Sequence, residues 1–252
     1  MTGKVYLVGA GPGAPDLLTV RAARLLAEAD IVFHDALVPE PILALAAGAE
    51  KVAVGKRCGS HSTAQRFINK RLADAARTHK VVVRLKGGDP MIFGRAQEEI
   101  AHLRAQGIPV EVVPGITAAL AASASLGTSL TQRGIARSVA FVTPRIGADE
   151  PASRWLDAAM AADTVAIYMG AHDAPAIAAA LMAAGKSAAT PVAIAEGATL
   201  PGERIAHGTL AELAELVRGA GGAIVILMGE VCRRQPAARV DEVPAAERRR
   251  LA

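Results

Sequence analysis

Two glycine-rich stretches and a handful of charged residues are where this chain has the means to do chemistry. Residues 5–14, Val-Tyr-Leu-Val-Gly-Ala-Gly-Pro-Gly-Ala, carry a β-branched strand into glycines that open a helix, and Asp35 follows the next strand. The spacing formally meets the G-x-G-x-x-G/A fingerprint of a dinucleotide-binding turn. Pro12, however, has no N–H to offer, and Pro15-Asp16 puts a carboxylate at the helix start, where a pyrophosphate would sit. No Gly-Lys-Ser/Thr follows, which excludes a Walker A loop. The stretch is therefore either a ligand-holding loop of another kind or a tight turn.

The second stretch, residues 84–95, reads Arg-Leu-Lys-Gly-Gly-Asp-Pro-Met-Ile-Phe-Gly-Arg. Adjacent glycines ahead of Asp-Pro let the main chain approach a ligand closely, and exposed carbonyls with a carboxylate suit a cation. A plain turn needs only one of Gly87 and Gly88, so the pair points to ligand binding. Both loops fall at the carboxyl ends of predicted parallel strands and so face one crevice.

The remaining candidates are charged. Asp35, at a strand end beside the first loop, is placed to accept a proton, or is a solvated loop acid or a helix cap. Lys56 exchanges protons near neutrality only if burial or cationic neighbours lower its pKa from about 10.4, and otherwise serves as a carboxylate-binding cation. Arg95, Arg133 and Arg137 flank the second loop and a Gly-containing polar segment. They are candidate contacts for an anionic substrate; each alone reads first as a solvated surface charge, and it is the clustering of Arg133 and Arg137 that points to substrate contact. The histidines at 34, 61, 79, 102, 172 and 207 show no HxxxH or HExxH spacing, and no metal site is expected. Cys58 and Cys232 form no CxxC, so neither a zinc cluster nor a disulfide framework is written here.

These residues must be positioned by an α/β scaffold. Strands are predicted at 5–9, 31–33, 51–54, 81–85 and 110–113, with helices at 16–28, 63–78 and 95–106 between them. A small-residue helix at 116–126 and a polar stretch at 127–137 precede further strands at 138–143, 164–169, 191–195, 204–207 and 223–228, and 145–150 reads as a turn. A boundary near Pro114 gives two α/β domains, 1–114 and 115–234, with a cofactor cleft between them, and a poorly ordered tail at 235–252.

Composition narrows the ligand class. Of 252 residues 52% are hydrophobic but only 3% aromatic, which speaks against stacking of single-stranded nucleic acid. A net charge of +4 without a long basic run suits a polycarboxylate or phosphate better than nucleic acid. No stretch reads as a membrane span, and the start lacks the apolar core of a secretory signal, so a cytoplasmic location is expected.

With both loops placed, the sequence resembles the tetrapyrrole methylases over almost the whole chain, from Val5 to about Arg234. The resemblance rests on an ordered set of stretches: residues 8–13 with Leu18-Thr19, 29–32 leading to 35–38, 54–57, 83–90, 113–118, 130–134 with 136–138, 168–170, 190–193 and 208–210. It implies a homodimer acting on a tetrapyrrole, with S-adenosylmethionine bound between the domains and S-adenosylhomocysteine as product. The implied reaction is C-methylation of uroporphyrinogen III at C2 and C7, giving precorrin-2 by way of precorrin-1. Alternatives are methylation of a later corrin precursor and a non-catalytic dinucleotide-binding module. The resemblance places the cofactor against Pro12, Gly87, Gly88, Asp89, Ile92, Thr117, Ala118, Met169, Ala193 and Ala198, and matches Asp35 and Lys56 to a proton acceptor and a proton donor. The chain departs from the family pattern at His34, Ala96-Gln97, Gln132 and Gly197-Ala198, none of which removes the glycine loops. With no module expected ahead of Val5, precorrin-2 oxidation and iron insertion are not expected.

Overall fold

The computed structural model describes residues 2–54, 62–146 and 153–234, the side chains of 62–64 excepted. Lys56, Cys58 and the tail expected at 235–252 lie outside them, as does most of the turn expected at 145–150. Among the described residues, ten strands form two sheets.

The first sheet comprises β1 (Lys4–Gly9), β2 (Ile31–His34), β3 (Glu50–Ala53), β4 (Val81–Lys86) and β5 (Val110–Val113), in the order β3-β2-β4-β1-β5. All four pairings are parallel. Apart from Arg84 and Lys86 at the carboxyl end of β4, the buried positions of the central strands are apolar on both faces, as a sheet covered on both sides requires. Val5, Leu7, Phe33 and Val82 pack under α3 (Ser62–Thr78) and α4 (Ala96–Ala105), whereas Val8, Val32, Val83 and Leu85 pack under α1 (Val20–Glu28) and the single turn α2 (Glu40–Leu43). Each such buried aliphatic side chain contributes about 1.5–3 kcal/mol. Because the helices after β1 and β4 cover opposite faces, this neighbouring pair is the switch point, and ligands bind outside the carboxyl ends of such strands.

The expected helix at 16–28 is two elements. A 3-10 turn, Pro15–Leu17, is followed by extended Leu18 and Thr19, and α1 starts only where the Thr19 hydroxyl accepts from Ala22 N at 3.1 Å. That cap fixes the helix start. The turn α2 was not signalled by any apolar period.

The second sheet has the order β6-β7-β10-β8-β9, built from β6 (Val139–Val142), β7 (Thr164–Tyr168), β8 (Pro191–Glu196), β9 (Arg204–Thr209) and β10 (Ile224–Met228). Only β6 and β7 are parallel; β10 runs antiparallel to both β7 and β8, and β8–β9 is a hairpin. Val165, Ile167, Ile194 and Ile226 pack beneath α6 (Trp155–Ala161), α7 (Ala174–Ala183) and α8 (Leu213–Leu216). The other face presents Ala166, Ala193 and Ala195 to Ala119, Ala121 and Ala122 of α5 (Ala118–Ser125), so small residues on both sides let helix and sheet approach closely. No helix among the described residues is long and apolar enough to cross a membrane.

Candidate active site

Parallel pairing aligns the carboxyl ends of β2, β4, β1 and β5, so Asp35, the second loop (87–95), the first loop (10–14) and a third loop (114–117) emerge side by side. The first two loops are stitched directly. Gly11 N donates to Gly88 O at 3.1 Å, and Gly88 N donates to Gly11 O at 2.8 Å. Ala10 N donates to Lys86 O, Ala14 N donates to the Thr199 hydroxyl, and Pro12 has no N–H. The amides that a pyrophosphate would need from this loop are largely committed within the protein.

The glycines here have separable reasons. A Cβ on Gly9 would lie 2.6 Å from Gly115 Cα, and one on Gly115 would lie 2.4 Å from Gly88 O, so these two permit main chain to pack on main chain. Gly88 has φ +66°, a left-handed conformation. Gly87 needs neither excuse: a Cβ there would make only ordinary contact, 3.5 Å from Leu37 Cβ. Its half-buried backbone is left bare where nothing in the chain requires it.

Asp89 has a bracing role. Oδ1 accepts from Met91 N at 2.8 Å and Oδ2 accepts from Gly115 N at 3.0 Å, tying the second loop to the third. The third loop then leads into α5, whose N-cap Thr117 makes no capping bond of its own. The Tyr168 hydroxyl, at the end of β7, supplies the cap: it lies 2.7 Å from Thr117 Oγ1 and accepts from Ala119 N at 3.0 Å. Burial pushes the Tyr168 pKa up. Its ring packs against Phe93 of the second loop, centroids 5.1 Å apart, which joins the two sheets across the crevice.

Among the described residues, only Phe93, Arg95, Met169 and Thr199 have positive φ without being glycine. All four border these loops, and such left-handed backbone clusters at active sites and ligand clamps. Phe93 and Met169 remain 41% and 44% exposed, so neither side chain is buried in the core.

Beneath Asp35 lies a buried charge cluster. Arg84 Nη2 donates to Asp35 Oδ1 at 2.5 Å, Arg84 Nε donates to Glu99 Oε1 at 3.1 Å, and Lys86 Nζ reaches both Glu99 oxygens at 3.2 Å. The Arg84 and Glu99 side chains are 3% and 0% exposed, while Asp35 keeps 29%. Burial works against the Arg84 charge, but the Asp35 and Glu99 carboxylates outweigh it and its pKa rises. Lys86 goes the other way, lowered by burial and then by the neighbouring Arg84 charge.

The sequence-predicted site residues are mostly brought together. Pro12, Gly87, Gly88, Asp89, Ile92, Thr117, Ala118, Met169 and Ala198 sit on the five strand ends that frame the crevice. Ala193 does not join them: it is mid-strand, 1% exposed, and sealed beneath α5. Asp35 is neither a freely solvated loop acid nor a cap, but one end of the buried cluster. Arg95 makes a two-point ion pair with Glu98, both contacts 2.7 Å. Arg133 is exposed on a turn closed by Gln132 and Ala136. Arg137 lies at the wrong end of the second sheet. Its amide bonds Asp163, just before β7 begins, whereas Met169 follows the end of that strand, about 20 Å further on. Lys56 lies outside the described residues. Sequence reasoning missed the roles of Arg84, Glu99 and Tyr168; charged residues at alternate positions of an apolar strand, with a glutamate on the following helix, were the available signal. Among the described residues no group of three or more His, Cys, Asp or Glu is arranged to hold a metal.

A model of the tetrapyrrole (corrin/porphyrin) methylases matches residues 4–214. The chain belongs to that family. As a tetrapyrrole methylase it is 49% identical over 215 residues to a siroheme synthase of Psychrobacter arcticus, covering 85% of this chain and 39% of that protein. A siroheme synthase of Pseudomonas fluorescens is 48% identical over 233 residues, 91% of this chain and 50% of that protein. The chain thus spans half or less of the length of these curated relatives. Uroporphyrin-III C-methyl transferase from Thermus thermophilus, solved in complex with S-adenyl homocysteine, shares 43% identity and a TM-score of 0.81, covering 92% of this chain and 99% of that one. A cobalamin biosynthetic enzyme, cobalt precorrin-4 methyltransferase, shares 31% identity and a TM-score of 0.79 over 92% of this chain and 96% of that one.

The tetrapyrrole methylase crevice fits an adenosyl sulfonium better than a dinucleotide. It offers bare backbone at Gly87, apolar surface at Phe93 and Met169, and few free amides in its first loop.

Proposed function

We propose that this tetrapyrrole methylase transfers methyl groups from S-adenosylmethionine to C2 and C7 of uroporphyrinogen III, giving precorrin-2 by way of precorrin-1. The observation that carries the reading is the bare Gly87 backbone beside the reciprocal Gly11–Gly88 bonds, in a crevice that leaves a diphosphate little to bind. The likeness to the Thermus thermophilus enzyme over 99% of its length supports the substrate. Pro12, Gly87, Gly88, Ile92, Thr117, Ala118, Met169 and Ala198 line the cofactor, with Asp89 bracing the second loop against the third. The division near Pro114, with domains 1–114 and 115–234, and a homodimeric assembly belong to the same proposal.

When bound, the cofactor supplies an electrophilic methyl group. The loops hold the nucleophilic pyrrole carbon and that methyl in line, which supplies much of the rate. Main-chain groups rather than a carboxylate facing the sulfonium avoid favouring the ground state, because positive charge leaves sulfur as the new carbon–methyl bond forms. Phe93 and Met169 offer exposed apolar surface to the bound cofactor. The methylated macrocycle is then cationic, and Asp35, with its remaining exposure toward the crevice, takes the proton whose departing bond pair neutralises the ring. Arg95 and Arg133 meet the substrate carboxylates at the rim, and Lys56, as proton donor, gives a proton to one ring position and regains one from another, so that the ring's net loss stays the single proton Asp35 takes.

Mass spectrometry of products from uroporphyrinogen III and S-adenosylmethionine tests this. The expected product carries two added methyl groups. Methylation of later corrin precursors with none on uroporphyrinogen III would transfer the assignment to that substrate class.

A further inference from the structure

We infer that Arg84 is the positioning residue for Asp35, acting through that carboxylate without touching substrate. The inference rests on Asp35 being the proton acceptor of the proposed reaction.

Every nitrogen of the Arg84 guanidinium is committed. Nε is held by Glu99 at 3.1 Å, Nη1 by the carbonyls of Leu85 and Phe33 at 3.1 and 3.5 Å, and Nη2 by Asp35 at 2.5 Å. Three fixed points thus aim the fourth bond. Glu99 is itself fixed, accepting from Lys86 and, at 3.1 Å, from Gln65 of α3, whose amide also reaches Asn69. Arg84 and Lys86 end the strand that enters the second loop, and Glu99 stands on the helix that leaves it. One glutamate therefore ties both ends of the cofactor loop to the arginine that orients the acid. The planar fork is essential: a lysine offers one point charge and cannot span Glu99, two carbonyls and Asp35 together.

The test compares Arg84→Lys in the wild-type and Asp35→Asn backgrounds. An asparagine at 35 still accepts from Arg84 but cannot take a proton. Since a displacement of about 1 Å can cost about 10²-fold in rate, Arg84→Lys should lower kcat about 10²-fold, with KM and the calorimetric affinity for S-adenosylhomocysteine retained. In the Asp35→Asn background it should cause no further loss. Glu99→Gln, which keeps the shape of the anchor, should give a smaller loss that vanishes in the same background, and it decides the matter if Arg84→Lys does not fold. Normal kcat in both variants, or equal losses in both backgrounds, overturns the inference while leaving the proposed reaction standing. Failure of the wild-type protein to methylate any tetrapyrrole would instead remove the reaction on which the inference rests.

Discussion

Gly11 and Gly88 exchange two main-chain hydrogen bonds, 3.1 and 2.8 Å long, so the first and second glycine loops form one miniature antiparallel bridge beyond the parallel sheet. The bridge commits the Gly11 and Gly88 amides to each other's carbonyls, so a fingerprint resembling a dinucleotide turn has little left to offer an anion. It also separates the two adjacent glycines of the second loop: Gly88 is tied into the bridge, whereas the structure around Gly87 does not require a glycine.

Gly88→Ala should therefore destabilise the fold by about 1–2 kcal/mol, the cost of forcing a side chain into the left-handed region. Gly87→Ala should change stability by no more than about 0.5 kcal/mol, yet weaken S-adenosylhomocysteine binding. Thermal melts alongside calorimetry check both. Equal melting losses with intact affinity would show that Gly87 is a turn residue only.

Tyr168→Phe removes the bond acceptor of buried Ala119 N and the partner of Thr117 Oγ1. A loss of about 1–3 kcal/mol is expected by denaturant unfolding. Because burial raises the Tyr168 pKa above its unfolded value of about 10, its contribution is fully present below that pH and is lost as pH climbs through the higher folded value. The difference in melting temperature between wild type and variant should shrink above about pH 10. A constant difference would deny the linkage.

Glu99→Ala leaves Arg84 and Lys86 buried together without their shared carboxylate. Breaking a buried ion pair from one side costs about 3–5 kcal/mol, so urea unfolding should report a loss of that size. A change under about 1 kcal/mol would mean that water reaches and screens the cluster.

Cys232 is 2% exposed, and burial pushes its thiol pKa up to about 12. Peptide mapping after alkylation at mildly alkaline pH should find Cys232 unmodified in the native protein and modified after unfolding. Rapid native labelling at this position would contradict the packing beneath α5.

Much of this was legible in the sequence where local rules decide. Strand 110–113 was placed at its true limits and 81–85 one residue short, because β-branched runs bounded by Gly, Pro or Asp leave little choice. The glycine loops were visible because their composition has few other uses. The sequence was silent on strand direction in the second sheet, since an antiparallel β10 between β7 and β8 depends on tertiary pairing. The break at Leu18-Thr19 was hidden by a continuous helical composition that the Thr19 cap overrides. Arg84 and Glu99 escaped notice because neither is a ligand-facing residue, and their pairing joins a strand to the helix after the loop. Arg137 seemed close to the site only by proximity in sequence; β7 carries the crevice to its far end.

On the proposed function the stitched loops hold an adenosyl sulfonium and its demethylated product, not a diphosphate. Calorimetric titration of the protein with S-adenosylhomocysteine, and separately with NADH, distinguishes the two ligands. Saturable binding of one S-adenosylhomocysteine per chain and no binding of NADH are expected. Tight NADH binding with no heat from S-adenosylhomocysteine would overturn the assignment.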